Sequence, residues 1–510
     1  MRMLLIALLL AAQPVMAQQT GRRGGRAGGP AAPTTAPTSG FVDEKPVVTH
    51  HEMQIGDKKI SYTATVAQMP LKDASGDTEA HIFYTAYTLD DADATTRPLT
   101  FAFNGGPGAA SLWVHMGGFG PKRVKLLDSG DMPAPPYQFV DNESTWLDHT
   151  DLVFIDPVGT GYSRARTTDI ARRMNGVQGD LLSVSEFIRM YINRNDRYTS
   201  PLFIAGESYG TFRAAGLAGT LIQQGTAVNG IVLVSTVLNY AVLRPTLVNG
   251  ISYAAHLPTY TADAWYHKKL PADLQQKELK EVLKEAETWA MGGYLEALNK
   301  GDQISAEQRK AAIEKTARLT GLKPSYVDQS DLRIDVGHFT RELLRDQRLT
   351  IGRLDGRLTG PSAMDAGETA DFDPSGTLTR PPFQAAFLHY MRSELKYQTD
   401  EKYYVEGGIM PWDFGQPNSY AQTGSLLNDA LSKNPYMKVL VCAAYYDLAT
   451  PYFSAQYTMN HLGIHPDRQK DITWAYYQAG HMMYIEKDSR AKLKKDVTGF
   501  MKTVMTREEK

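Results

Sequence analysis

The stretch from Leu202 to Leu221 constrains this chain more than any other. Leu202 to Ala205 has the length and apolar content of a buried strand, and Thr211 to Leu221 favours a helix. Between them stands only Gly206-Glu207-Ser208-Tyr209-Gly210, with no residues to spare for a loop. A strand passes into a helix this abruptly only where glycines let backbones crowd together. The turn lifts the side chain of Ser208 above the strand end, with a helix N-terminus aimed at any negative charge that develops there. A bare G-x-S-x-G pattern arises often by chance, but in this setting it predicts that Ser208 is a nucleophile.

Other apolar runs give that strand its neighbours. His51 to Ile55, Ile60 to Val66 and Ala80 to Thr88 alternate as a meander with turns at Gly56-Asp57 and Gly76-Asp77. Leu99 to Phe103 and Leu152 to Ile155 then end in Gly-containing or Asp-Pro turns, and a helix is expected from about Asp180 to Ile192. Val439 to Ala444 and Ile472 to Tyr477 read as later strands, and a last helix spans about Arg490 to Val504. Strands alternating with helices predict an α/β fold with a mostly parallel sheet covered on both faces.

The chain divides by composition. Met1 to Ala17 has the charge, short apolar run and small-residue ending of a signal peptide, so the protein is expected to be exported, periplasmic or extracellular. Residues 18–40, rich in Gly, Arg, Ala, Pro and Thr, read as a disordered leader. Residues 41–244 and 385–510 form the two parts of the core, and 245–384 reads as a helical insertion. Within it Leu279, Val282, Leu283 and Ala286 make one apolar stripe, and Ser305 with Gln308 makes a capping box before a helix ending near Gly321. No later stretch is long and apolar enough for a membrane span. With 54 Lys and Arg against 56 Asp and Glu there is no charge excess to hold nucleic acid. Cys442, the single cysteine, has no disulfide partner and reads as a packed small hydrophobe.

A serine nucleophile needs a base, and the base needs a third group to hold it. Asp447 lies just past the strand Val439 to Ala444, and His481 just past Ile472 to Tyr477, the order Ser, acid, His that this kind of turn goes with. Asn104-Gly105-Gly106-Pro107-Gly108 follows the strand Leu99 to Phe103, and such a glycine run lets backbone N–H groups approach a substrate oxygen. Metal is not expected: His461 and His465 lack a third ligand, and the calcium-loop-like Asp371 to Gly376 has Pro382 where the closing Glu belongs. Asp156, at a strand end in a turn-rich motif, reads as scaffold.

In order along the chain stand Asn104-Gly105-Gly106-Pro107-Gly108, Asp156-Pro157-Val158-Gly159-Thr160-Gly161-Tyr162-Ser163, Gly206-Glu207-Ser208-Tyr209-Gly210, Asp447 with Pro451, and Ala479-Gly480-His481-Met482. Together they resemble the serine carboxypeptidase family, as a bacterial-type member without disulfides. The resemblance implies an α/β-hydrolase fold with a helical lid insertion, and hydrolysis of C-terminal residues from peptides with a free C-terminus. It implies a triad of Ser208, Asp447 and His481, with the backbone N–H groups of Gly106 and Tyr209 as the oxyanion hole. Asn104, the backbone of Gly105, and Glu207 would bind the substrate's terminal carboxylate, and no cofactor or metal is implied. An esterase, an acyltransferase, or a non-catalytic exported binding protein are the alternatives.

Two departures from the family pattern bear on the chemistry. Ala109 stands where members usually have Cys, and Gly118 stands where a second acid would share a proton with Glu207. An ionised Glu207 about 4 Å from a substrate carboxylate would repel it by roughly 4 kcal/mol at an effective dielectric of about 20. Glu207 must therefore stay protonated, or a cation must compensate, and Arg213 is a candidate for that cation beside the simpler reading of a structural arginine.

Overall fold

The computed structural model describes residues 41, 43–409, 411–415 and 418–506; the expected signal peptide and the whole of the expected leader lie outside the described residues. The frame is one twisted sheet. Its strands are β1 (Val47–Ile55), β2 (Lys58–Lys72), β3 (Thr78–Leu89), β4 (Leu99–Phe103), β5 (Asp151–Ile155), β6 (Leu202–Ser208), β7 (Gly230–Thr236), β8 (Lys438–Ala444) and β9 (Ile472–Tyr477). Their order across the sheet is β1-β2-β3-β5-β4-β6-β7-β8-β9, with the short strand Arg164–Ala165 added beside β3. From β5 to β9 every neighbouring pair is parallel, and β1, β2 and β3 form the antiparallel end. This is the α/β-hydrolase architecture.

Alternation along each strand sends side chains to two separate layers. In β4, Leu99, Phe101 and Phe103 face one layer, which the helices α1 (Val177–Arg194) and α2 (Tyr209–Gln223) cover through Leu181, Val184, Phe187 and Leu217. Ala102, Phe203 and Ala205 face the other, closed by Phe383 and Phe387 and by Leu493, Val497 and Phe500 of the last helix. Cys442 is buried in that second layer, where burial pushes its thiol up to about 12.

β7 is a strand the pattern reading misses. Gly230–Thr236 is buried at every position, so Ile231 to Val234 shows no alternation and reads as an undifferentiated apolar run. After β7 the chain enters a helical region that includes α3 (Gly250–Tyr266), α4 (Leu279–Trp289), α5 (Ala306–Thr320) and α6 (Val336–Glu342), followed by the short hairpin Leu349–Ile351 with Thr359–Pro361. Leu279, Val282, Leu283 and Ala286 are all buried on α4, and Ser305 and Gln308 cap α5 reciprocally, with Gly321 left-handed at its end. These helices gather a core of their own around Leu257, Tyr260, Val282, Leu319 and Phe339. The helix α7 (Pro374–Ser393) then runs across residue 384 and packs Phe383 and Phe387 under the sheet.

Arg213 settles into this frame as a structural arginine and not as a cation facing a substrate. Fully buried on α2, it places Nε 3.0 and 2.8 Å from the two carboxylate oxygens of Asp180 on α1. Its Nη1 donates to the carbonyl of Asn104, just past β4, at 2.8 Å, and the guanidinium lies 5.0 Å from the ring of Phe103. One side chain thus joins two helices to the strand end that carries the glycine run. Arg213→Met should destabilise the fold by about 3 to 5 kcal/mol in urea unfolding, because Asp180 is left charged and unpaired in the interior. Pairing it with Asp180→Leu should recover a large part of that loss; equal losses in the single and double variants would contradict this account.

Candidate active site

The glycine run and the serine turn meet back to back. Ser208 has φ 60° and ψ −128°, a conformation that side-chain-bearing residues rarely adopt. The crowding that holds it there can be measured at the glycines. A Cβ on Gly206 would lie 2.1 Å from the Gly210 carbonyl oxygen, one on Gly210 2.8 Å from the Phe103 oxygen, and one on Gly105 2.3 Å from the backbone nitrogen of Tyr209. Tyr209 is the first residue of α2, so its N–H has no acceptor inside the helix, and Gly106, which follows Gly105, has φ +101°.

Asp447 and His481 are delivered by the turns after β8 and β9, at the same C-terminal end of the parallel strands that carries Asn104 and Ser208. His481 Nδ1 lies 2.8 Å from Asp447 Oδ2, both side chains being buried. The remaining capacity of the carboxylate is filled: Oδ1 accepts the N–H groups of Ala449 and Thr450 at 2.8 and 2.9 Å, and Oδ2 accepts the Thr450 hydroxyl at 2.7 Å. Burial opposes ionisation of Asp447, but the imidazole and these donors outweigh it and hold its pKa below the ordinary range. Burial likewise opposes charge on His481, and the Asp447 carboxylate overcomes it, raising the imidazole above its usual value.

A tight turn of the helical region fastens both loops. The N–H of His481 donates to the Leu354 carbonyl at 2.6 Å, that of Leu448 to Arg353 at 3.1 Å, and that of Gly356 to Tyr446 at 2.9 Å. Arg357 donates to the Gln478 carbonyl at 2.7 Å while pairing with Asp355 at 2.7 Å. From the sheet side, the hydroxyl of Ser235 on β7 donates to the His481 carbonyl at 2.6 Å. A cavity of about 270 Å³ opens between α3, α6 and this loop, lined by Tyr253, His256, Ile334, Arg353, Leu448 and Ala449 among others.

Glu207 precedes Ser208 and is buried beneath it. Its Oε1 lies 3.9 Å from His481 Nε2, so the free nitrogen of the imidazole faces the serine turn. Its Oε2 accepts the hydroxyl of Tyr484. Burial pushes the Glu207 carboxyl up to about 7, against the pull of His481, Tyr484 and Asn104 and with some help from Asp447. Asn104 is held by its side-chain oxygen, which accepts the Val114 N–H at 3.0 Å. Its buried Nδ2 has no hydrogen-bond partner among the described residues, although it lies close enough to Glu207 and Tyr484 to act on both. Asp156, expected as scaffold, is buried with Oδ1 accepting the Ser111 N–H at 2.7 Å, away from this cluster.

The sequence profile described as "Serine carboxypeptidase" matches residues 71–505. The chain belongs to the serine carboxypeptidase family. Among curated relatives, retinoid-inducible serine carboxypeptidase of Mus musculus is 32% identical over 157 residues, covering 29% of this chain and 31% of its own length. Pheromone-processing carboxypeptidase of Coprinopsis cinerea is 33% identical over 138 residues, covering 27% of this chain and 21% of its own length. The matched segments thus span under a third of these relatives. Among solved structures, a proline iminopeptidase of Mycobacterium smegmatis is 13% identical with a TM-score of 0.36, covering 90% of this chain and 99% of its own.

Against the family pattern, this serine carboxypeptidase-family chain fills the space beside Gly118 with Tyr484, whose Cβ would lie 2.8 Å from a Cβ added at Gly118. Thr450 and Tyr484 are the two site residues that sequence reasoning misses. Thr450 has a local signal, a Thr three residues after an Asp, a spacing common to capping turns. Tyr484 has none, since its partner is 277 positions away.

Between about pH 4.5 and 7 the folded protein keeps a proton on Glu207 that the unfolded chain releases, so stability falls as pH rises through this window. Glu207→Gln, which cannot ionise, should gain a few degrees in thermal midpoint over the parent at pH 8 compared with pH 5. A difference that does not change with pH would refute the raised pKa.

Proposed function

We propose that the chain is an exported serine-type carboxypeptidase that removes C-terminal residues from peptides through an acyl-enzyme. The observation that carries the hydrolytic part is the orientation of His481: Nδ1 is tied to Asp447 and Nε2 faces the turn that bears Ser208. In this reading His481 takes the Ser208 proton as the oxygen attacks the scissile carbonyl, and Asp447 holds the tautomer and stabilises the imidazolium. Thr450 keeps the carboxylate in place. The N–H groups of Gly106 and Tyr209 receive the oxyanion. Protonated His481 then releases the leaving amine, and water activated by the same imidazole frees the acyl group.

The exopeptidase part rests on what stands next to this machinery. A substrate's terminal carboxylate needs donors in a place that tolerates its charge. Asn104 offers a buried, unpartnered amide N–H, the backbone of Gly105 adjoins it, and Glu207, neutral below about pH 7, offers a carboxylic O–H. In this reading the cavity beside Leu448 and Ala449, the two residues that follow Asp447, takes a side chain of the substrate. On the same reading the helical region from α3 to the hairpin at 359–361 acts as the lid that covers this cleft, while α7 belongs to the core. Export rests on residues 1–17; no helix among the described residues is long and apolar enough to cross a membrane.

Ser208→Ala and His481→Ala should each lose nearly all activity on an N-blocked dipeptide while unfolding at close to the parent's temperature. The parent should prefer the free acid to the matching amide. Full activity in either variant would end the triad reading, whereas equal use of acid and amide would keep the triad and make the protein a broader hydrolase.

A further inference from the structure

The partner of Glu207 is a phenol, and a phenol differs from a carboxyl in what it can donate. Tyr484 is fully buried in the short 3₁₀ turn Met483–Ile485, three residues past His481. Its ring lies against the two glycines 117 and 118: a Cβ on Gly117 would come within 2.3 Å of the ring carbons. Phe119 meets the ring edge-on at 5.8 Å, and Nη1 of Arg490, whose other nitrogen pairs with Glu143, is 3.4 Å from the Tyr484 carbonyl. The hydroxyl therefore has one position available. There it donates to Glu207 Oε2, with the Asn104 amide nearby.

A protonated carboxyl has one oxygen that donates and one that only accepts. With Oε2 already accepting from Tyr484, the proton of neutral Glu207 belongs on Oε1, the oxygen that faces His481 at 3.9 Å. We propose that Tyr484 is a positioning residue for recognition of the substrate's terminal carboxylate: by donating to Oε2 it fixes the Glu207 proton on Oε1, so that Oε1–H and the free N–H of Asn104 form a two-donor cradle. This rests on the carboxypeptidase reading above and adds to it a selectivity device in the same loop as His481. The groups facing Glu207 are His481, Asp447, Tyr484 and Asn104, and Tyr484 alone among them holds an oxygen of Glu207 by a hydrogen bond from its own hydroxyl.

The arrangement also sets a direction. The phenol's hydrogen bond favours the ionised carboxylate, so Tyr484 holds the Glu207 pKa lower than burial alone would. Removing the hydroxyl should thus weaken carboxylate recognition where Glu207 is neutral, yet let Glu207 stay neutral to higher pH. A residue that merely filled space would produce neither change.

The test compares the parent, Tyr484→Phe and Gly118→Ala on an N-blocked dipeptide free acid and its amide from pH 5 to 9, with thermal unfolding as the check on folding. In Tyr484→Phe the preference for acid over amide should fall about tenfold, chiefly through KM, the size expected for one hydrogen bond to a charged or acidic group. The alkaline limb of kcat/KM for the acid should move up by about one pH unit. Gly118→Ala, whose methyl displaces Tyr484, should change both in the same direction and serves as the deciding variant if Tyr484→Phe does not fold. An unchanged preference with an unmoved limb, or equal losses on acid and amide, would overturn the proposal. If the parent itself shows no preference for the acid, the carboxypeptidase reading fails instead, so the two failures are told apart.

Discussion

Everything at the C-terminal ends of the parallel strands depends on two backbones lying closer than any side chain would permit. The turn after β4 and the turn after β6 touch at Gly105 and Tyr209, and the second turn folds on itself at Gly206 and Gly210. Ser208 bears the cost as a left-handed residue without being a glycine, a strain of order 1 to 3 kcal/mol that the surroundings must over-determine. Arg213 supplies part of that support from below, since it binds the Asn104 carbonyl and a carboxylate of α1 while rising from the helix that Ser208 starts. The orphaned amide of Asn104, the N–H of Tyr209 and the buried carboxyl of Glu207 all follow from this one contact.

Burial then does opposite work on the two carboxylates of the site. Asp447 is surrounded by donors and stays charged, whereas Glu207 has one hydroxyl donor and an incompletely satisfied environment, and moves toward neutrality. Two acids of similar intrinsic strength are thereby separated into a fixed anion and a titrating group. The imidazole between them senses both, raised by Asp447 first and Glu207 second.

How much of this was legible in the sequence depended on the range of the interaction. Ser208, Asp447 and His481 could be placed because each follows a recognisable strand by a few residues, and the parallel sheet brings those strand ends together without further information. The glycines of the two turns were legible for the same reason, as local geometry. Strand β7 was missed because full burial erases the alternation that marks a strand. Gly118 could be read as a missing acid, but not as room for a ring that arrives from residue 484. Arg213 could be singled out as a cation out of place, while its pairing with Asp180, 33 positions away on the neighbouring helix, needed the fold.

The turn at 353–357 changes what counts as the working unit of this protein. It stands within the helical region, where a lid would ordinarily be treated as a detachable cover. Yet its backbone carbonyls receive the N–H groups of His481 and Leu448, and its Gly356 donates to the residue before Asp447. Trimming the helical region through this turn would leave two amides, those of His481 and Leu448, without acceptors. An engineer who wants an open cleft in this scaffold must cut on either side of that turn and keep it, as one keeps the hinge pin when removing a door.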